Sequence, residues 1–205
     1  GEICYITTGG DRLMAEVIKV LGQDVYVQVF ESTRGLKVGA EAEFVGHMLE
    51  VQLGPGMLSK NYDGLQNDLD KMDGVFLKRG QYTEPLDADS VWDFTPLAKA
   101  GDTVQASDWL GQVVENSQKL KIMAPFQMEG TATVKSIVPA GQYKIHDVIA
   151  VLADEKGNEI SVDMVQRWPV KIPMTQYKHK PRPFKLLETG VRTIDTFNPI
   201  VEGGT

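Results

Sequence analysis

The chain is 205 residues long, 42% apolar and 24% charged, with a formal net charge of −7 at pH 7 and one cysteine. That length holds one large or two small domains, the apolar fraction suffices for a packed core, and no apolar run approaches the roughly eighteen residues of a spanning helix. The acidic balance argues against nucleic acid as a partner, and the lone Cys4, which has no second thiol to pair with, reads as a buried strand residue in a reducing compartment.

Gly1 to Asp11 has neither the basic start nor the apolar core of a secretory signal. Ile3 and Tyr5 alternate with polar neighbours, and Leu13 to Val20 and Val25 to Val29 are β-rich runs separated by a hairpin turn at Gly22-Gln23-Asp24. Glu43 to Val45 and Leu49 to Leu53 follow as short strands punctuated by Gly35, Gly39 and Gly46, the spacing of a small closed sheet. From Tyr62 the period changes. Tyr62, Leu65, Leu69, Met72 and Phe76 recur at steps of three and four, which predicts a helix over 59–76 with Ser59 as its cap and the stripe packed as core. Asp63, Asp68, Asp70 and Asp73 make that segment acidic, so an anionic membrane surface would repel it.

Between about Phe76 and Val165 two stretches echo one another. Ala100-Gly101-Asp102-Thr103-Val104 leads to Asp108, Leu110 and Val113; Ala140-Gly141-Gln142-Tyr143 leads to Asp147, Ile149 and Val151. Each is a glycine-led turn, a polar stretch, an Asp and an alternating strand, and halves with one apolar face each bury both only by pairing. The pattern resembles the flattened β-sandwich of biotinyl and lipoyl carrier domains. Such a carrier displays a lysine at the tip of its central hairpin; alignment on Ala124-Pro125 puts Ser117 there, with Lys119 out of place. The fold is retained and the acceptor is missing.

Other chemistries fail on inventory. His47, His146 and His179 are scattered, and with one cysteine there is no zinc signature. His146-Asp147 reads as a solvated turn, and Asp102, Asp108 and Asp147 stand where Asp accepts local backbone hydrogen bonds. Neither a GxSxG elbow nor a GxxxxGK[ST] phosphate loop occurs. The segment Trp168-Pro169-Val170-Lys171-Ile172-Pro173 is extended. Lys178, Lys180, Arg182 and Lys185, interleaved with His179, Pro181 and Pro183, form an exposed basic connection. Thr189 then caps a short helix carrying Val191, Ile194 and Phe197, ended by Pro199.

Three blocks together carry a second resemblance: Val51-Gln52-Leu53-Gly54-Pro55-Gly56-Met57-Leu58 with Tyr62-Asp63-Gly64-Leu65-Gln66; Gln166-Arg167-Trp168-Pro169-Val170; and Thr189-Gly190-Val191-Arg192-Thr193-Ile194-Asp195-Thr196-Phe197-Asn198-Pro199-Ile200 running into Gly203-Gly204-Thr205. In this order they resemble the catalytic A subunit of rotary V-type (vacuolar and archaeal type) ATPases and ATP synthases. The chain departs from that family at Asn67-Asp68, where Arg-Pro is usual, and at Asn198, where a second aromatic is common.

The resemblance implies a mainly β chain cut at both ends. A β-barrel lacking its first strand would fill 1–58, a helix of the nucleotide-binding domain 59–76, and the bulge insert, a carrier-like sandwich, 77–172. The start of the nucleotide-binding domain, with short helices, would fill 173–205. It implies ATP or ADP and magnesium for the parent protein, held beyond Thr205, and no catalytic, cofactor or metal site within the chain. The implied partners are the B subunit and the peripheral stalk, in a cytoplasmic complex peripheral to a membrane and without insertion into it. Contact with the stalk requires an exposed patch, for which Trp92, Phe94, Trp109 and Phe126 are candidates, although at least half of them also suit the sandwich core. Two other readings stay open: a free-standing β-rich interaction module, and a biotinyl or lipoyl carrier.

Overall fold

In a computed structural model the described residues are 1–72, 74, 76, 78–175 and 182–203. Asp73, the basic connection at Lys178, His179, Lys180 and Pro181, and the terminal Gly204-Thr205 lie outside them. The chain divides into two units, Gly1–Pro173 and Met174–Thr205.

The first unit opens with β1 (Glu2–Thr8), β2 (Asp11–Leu21), β3 (Asp24–Val29) and β4 (Glu41–Met48), an antiparallel sheet in the order β3-β2-β1-β4. Gly9 and Gly10, at φ 58 and 94, make the two-residue loop between Thr8 and Asp11, a mirror-image turn whose positive φ angles suit glycine. Alternation along β1 and β2 buries Cys4, Ile6 and Ala15 on one face, with Val27, Val29, Leu36 and Ala40 packed against them. Burial pushes the Cys4 thiol above its ordinary pKa. The register of β2 on β3 slips between Val17 and Lys19, which leaves Ile18 unpaired and 62% exposed. The sheet is open among the described residues, with β3 and β4 as its edges; four strands at this register do not close into the barrel that the spacing suggests.

The helix expected over 59–76 does not form in the described residues, where one 3₁₀ turn, Leu69–Lys71, is the helical content. Polar competition overrides the apolar period. The Asp63 carboxylate accepts the amides of Leu65 (2.9 Å) and Asn67 (2.8 Å) together with the Asn67 side-chain amide (2.8 Å), and Gln66 sits at φ 62, which a right-handed helix excludes. Asp154 builds the same five-residue loop by accepting the amides of Lys156 (2.9 Å) and Asn158 (2.7 Å) and the Asn158 side chain (2.8 Å). Ser59 is no cap, lying itself at φ 63, and Leu69 and Phe76 are exposed rather than core. Asn67 and Asp68, where the sequence departs from the family pattern, are buried in a polar knot. Asn67 Oδ1 accepts from the Thr83 amide (2.9 Å), Thr83 Oγ1 accepts from the Asp68 amide (2.7 Å), and the Asp68 carboxylate lies 3.3 Å from Lys60 Nζ.

The rest of the unit is a sandwich of two four-stranded sheets. Its strands are β6 (Val91–Pro96), β7 (Thr103–Gln105), β8 (Trp109–Glu115), β9 (Gln118–Met123), β10 (Thr131–Ile137), β11 (Gly141–Lys144), β12 (Ala150–Asp154) and β13 (Glu159–Val162). The sheets run β11-β6-β8-β9 and β7-β10-β12-β13, so the two repeats have the same topology and each lends its short second strand to the other's sheet. This exchange is the physical form of the sequence repeat. One core gathers Ala98, Val104, Leu110, Val134 and Leu152; another gathers Phe94, Val113, Ile122, Ile149 and Met164. The Asp of each repeat locks the turn before its long strand: Asp108 Oδ2 accepts the Gln105 amide at 2.8 Å and Asp147 Oδ2 the Lys144 amide at 2.7 Å, as Asp102 does for Lys99 at 2.8 Å. The sandwich is entered and left through β5 (Glu50–Leu53) and β14 (Gln166–Pro169), an antiparallel pair that brings the Val-Gln-Leu-Gly and Gln-Arg-Trp-Pro blocks side by side.

In the second unit α1 (Arg192–Phe197) is a six-residue helix. Thr189 does not cap it, since Val191 is the residue that precedes the helix. Asp195 instead reaches back to accept the Thr189 hydroxyl (2.6 Å) and the Thr189 and Gly190 amides (both 3.1 Å), and these bonds, led by the hydroxyl, hold its carboxyl below the usual range.

Candidate functional site

The β8–β9 hairpin turns through Asn116 and Ser117, both at positive φ (44 and 66), so Ser117 does occupy a hairpin tip, the place where a carrier domain presents its lysine. The tip is held down. Glu115, 5% exposed and on the inward register of β8 with Val113, accepts the amides of Gly56 (3.0 Å) and Leu58 (2.9 Å) through Oε1. Asn116 Nδ2 donates to Ser59 Oγ at 2.9 Å. The Gly54-Pro55-Gly56-Met57-Leu58 loop thereby closes one end of the sandwich; a Cβ added at Gly56 would stand 3.6 Å from the Trp92 ring. A swinging arm needs a free tip with a lysine amine, and this one carries a serine and is clasped by a carboxylate and an amide.

Two glutamines do comparable work at the entry ladder. Gln66 accepts the Gln52 amide (2.8 Å) and donates to the Gln52 carbonyl (2.7 Å), as a strand neighbour would. Gln166 donates to the Met123 carbonyl (2.9 Å) and accepts the Phe126 amide (3.1 Å). The Asp-Gly-Leu-Gln loop and β14 are thus pinned to β5 and to the end of β9.

The four aromatic candidates are not brought together as a patch. Phe94 is 1% exposed and belongs to the core, which removes it as a contact residue. Trp92 is half-buried against that core, and Phe126 is half-buried edge-on to Trp168, with ring centroids 6.0 Å apart. Trp109 alone stands out, 57% exposed with Lys121 Nζ 4.8 Å above its ring. His146 lies in a turn with Nδ1 3.0 Å from Asp163 Oδ2. Among the described residues no three His, Cys, Asp or Glu side chains converge as a metal centre, and no helix is long and apolar enough to cross a membrane. Glu115 was not singled out by sequence reasoning; the available signal was a charged residue on the buried parity of an otherwise apolar strand.

Residues 1–46 match the β-barrel domain of the ATP synthase alpha/beta family, and residues 83–171 match the barrel-sandwich domain of ATP synthase alpha/beta subunits. With the open sheet and the exchanged-strand sandwich in that order, the chain belongs to the ATP synthase alpha/beta family. Within it, the chain is homologous along its whole length to V-type ATP synthase alpha chains. It is 46% identical over 207 residues to that of Treponema denticola and 45% identical over 207 residues to that of Borreliella afzelii, each alignment covering 100% of this chain. Alpha chain 1 of Treponema pallidum is 45% identical over the same length. The chain spans 35% and 36% of the first two relatives, about a third of the length of the curated proteins it matches.

Proposed function

We propose that the chain is the front part of the catalytic alpha (A) subunit of a rotary V-type ATP synthase or ATPase, which couples ATP hydrolysis or synthesis to ion transport. The observation that carries this reading is the unbroken similarity over 100% of the chain, with the barrel and barrel-sandwich matches in the same order. In this role the β1–β4 sheet supplies contacts within a subunit ring shared with the B subunit. The sandwich projects as the bulge toward the peripheral stalk, with Trp109 as its exposed aromatic. The complex is cytoplasmic and peripheral to a membrane.

On this reading the chain holds no nucleotide site of its own, which agrees with the lack of a GxxxxGK[ST] phosphate loop in its sequence. The chain's own contribution is mechanical: Glu115, Gln66 and Gln166 fasten the sandwich to the entry ladder, so a force on the bulge reaches β5 and β14. Titration calorimetry of this 205-residue chain with Mg-ATP tests the assignment. No saturable heat is expected, and micromolar affinity would refute the placement of the nucleotide site outside these residues.

A further inference from the structure

A groove of about 340 Å³ lies beside the clasped hairpin, bordered by Leu53, Met57, Phe126, Met164 and the edge strand β9, with Glu115 in its wall. We propose that it binds an extended segment of a partner polypeptide, seating one lysine or arginine between large apolar side chains against Glu115.

Three observations define this occupant. Glu115 is 95% buried, yet only Oε1 is engaged; Oε2 has no hydrogen-bond or ion-pair partner among the described residues. An unpartnered carboxylate oxygen on a largely buried side chain asks for a donor, and a charged donor satisfies it best. The basic side chain at the groove, Lys121, is engaged elsewhere, its Nζ donating to Gln112 Oε1 at 2.7 Å on the Trp109 side. The walls are apolar and rich in methionine, with Met57, Met123 and Met164 contributing. Such walls suit the alkyl stem of a lysine or arginine and adapt to neighbouring apolar residues.

The third observation sets the shape. Leu120, Lys121, Ile122 and Met123 all border the groove, although successive strand residues point to opposite faces, so the groove follows the edge of β9. β9 is the outer strand of its sheet, and among the described residues Gln118 to Ile122 make no backbone–backbone hydrogen bond except to β8. Gln166 already takes the Met123 carbonyl, which leaves Leu120 to Ile122 as the open stretch. An open strand edge accepts an extended chain through its main-chain groups, with side-chain pockets supplying selectivity. A compact amine would use the carboxylate and leave this edge unused.

The test is a titration of the 205-residue chain, labelled with carbon-13 at its methionine methyls, with the capped pentapeptide acetyl-Val-Leu-Lys-Leu-Val-amide. Saturable shifts of the Met57, Met123 and Met164 signals are expected, with Met14 and Met48 unmoved. Replacing the probe's lysine by norleucine should weaken binding about tenfold or more, the equivalent of one charge-assisted hydrogen bond. Glu115→Gln, which keeps a carbonyl for the Gly56 and Leu58 amides, should weaken the lysine peptide by a similar factor. n-Butylamine at equal concentration should leave the methyl signals in place. No shift at millimolar peptide, equal affinity for the lysine and norleucine peptides, or equal binding of butylamine would each overturn the proposal. The peptide pair decides the matter on the unsubstituted chain even if Glu115→Gln does not fold.

Discussion

Gly111→Ala tests the packing at the centre of the sandwich. A Cβ built on Gly111 falls 2.1 and 2.2 Å from two carbons of the Phe94 ring and 3.0 Å from the Thr95 carbonyl oxygen. Ordinary carbon contacts need roughly 3.5 Å, so the ring must retreat by about 1.4 Å. It has little room to do so. Phe94 is 1% exposed, stands edge-on to Tyr143 with centroids 6.2 Å apart, and shares its core with Val113, Ile122, Ile149 and Met164. Overpacking of this kind costs about 1–3 kcal/mol, and the blocked retreat points to the upper end, about 3 kcal/mol. With a urea m-value of about 2 kcal/mol/M, the midpoint followed by tryptophan fluorescence should fall by about 1.5 M. Phe94→Leu removes the obstructing ring, so the double variant should be at least about 1 kcal/mol more stable than the sum of the single effects. A midpoint shift under about 0.3 M for Gly111→Ala, or strict additivity with Phe94→Leu, would refute the geometry.

Glu115→Ala removes the carboxylate that accepts the Gly56 and Leu58 amides, hydrogen bonds to a charged group worth about 1.5–3 kcal/mol each, and should accelerate hydrogen exchange at those two amides more than at others on the ladder; unchanged exchange there would show that the clasp does not hold the loop. Asp154 is expected to supply a pH-dependent contribution. The hydrogen bond from the Asn158 side chain is the leading cause that holds its carboxyl below the usual range, so the stabilisation is fully present above the unfolded value near pH 4 and drains as pH falls through the lower folded value. Asn158→Ala should move the Asp154 carboxyl carbon titration upward toward the ordinary aspartate value and reduce the loss of stability on acidification, and an unmoved titration curve would contradict the assignment.

Much of the β architecture was legible because a strand with one buried face writes period two into the sequence. Leu13 to Val20 and Val25 to Val29 fall within β2 and β3, and Gly22-Gln23 separates them. The paired halves around Asp108 and Asp147 were legible for a related reason: each turn is locked by its own carboxylate, a contact spanning three residues and therefore visible locally. The stretch over 59–76 misled for the opposite reason. Its apolar residues keep helical spacing, but Asp63 captures the amides a helix would use, and the compensating partner of Gln66 is Gln52, a residue in β5. The aromatic candidates were likewise ambiguous, because Trp109 and Phe94 differ not in type but in which face of a sheet their register gives them.

By itself the sequence determined the strands, the repeat, the hairpin tip at Ser117 and the kinship with a rotary ATPase subunit, since each rests on neighbours along the chain or on blocks in a fixed order. Only the tertiary structure decided that the two halves exchange a strand between their sheets, that β5 and β14 pair, and that Glu115 reaches back 59 residues to hold Gly56. These contacts join segments with no local signature for one another, and their partners are fixed by which faces the core buries and which backbone groups remain unsatisfied until the chain has closed.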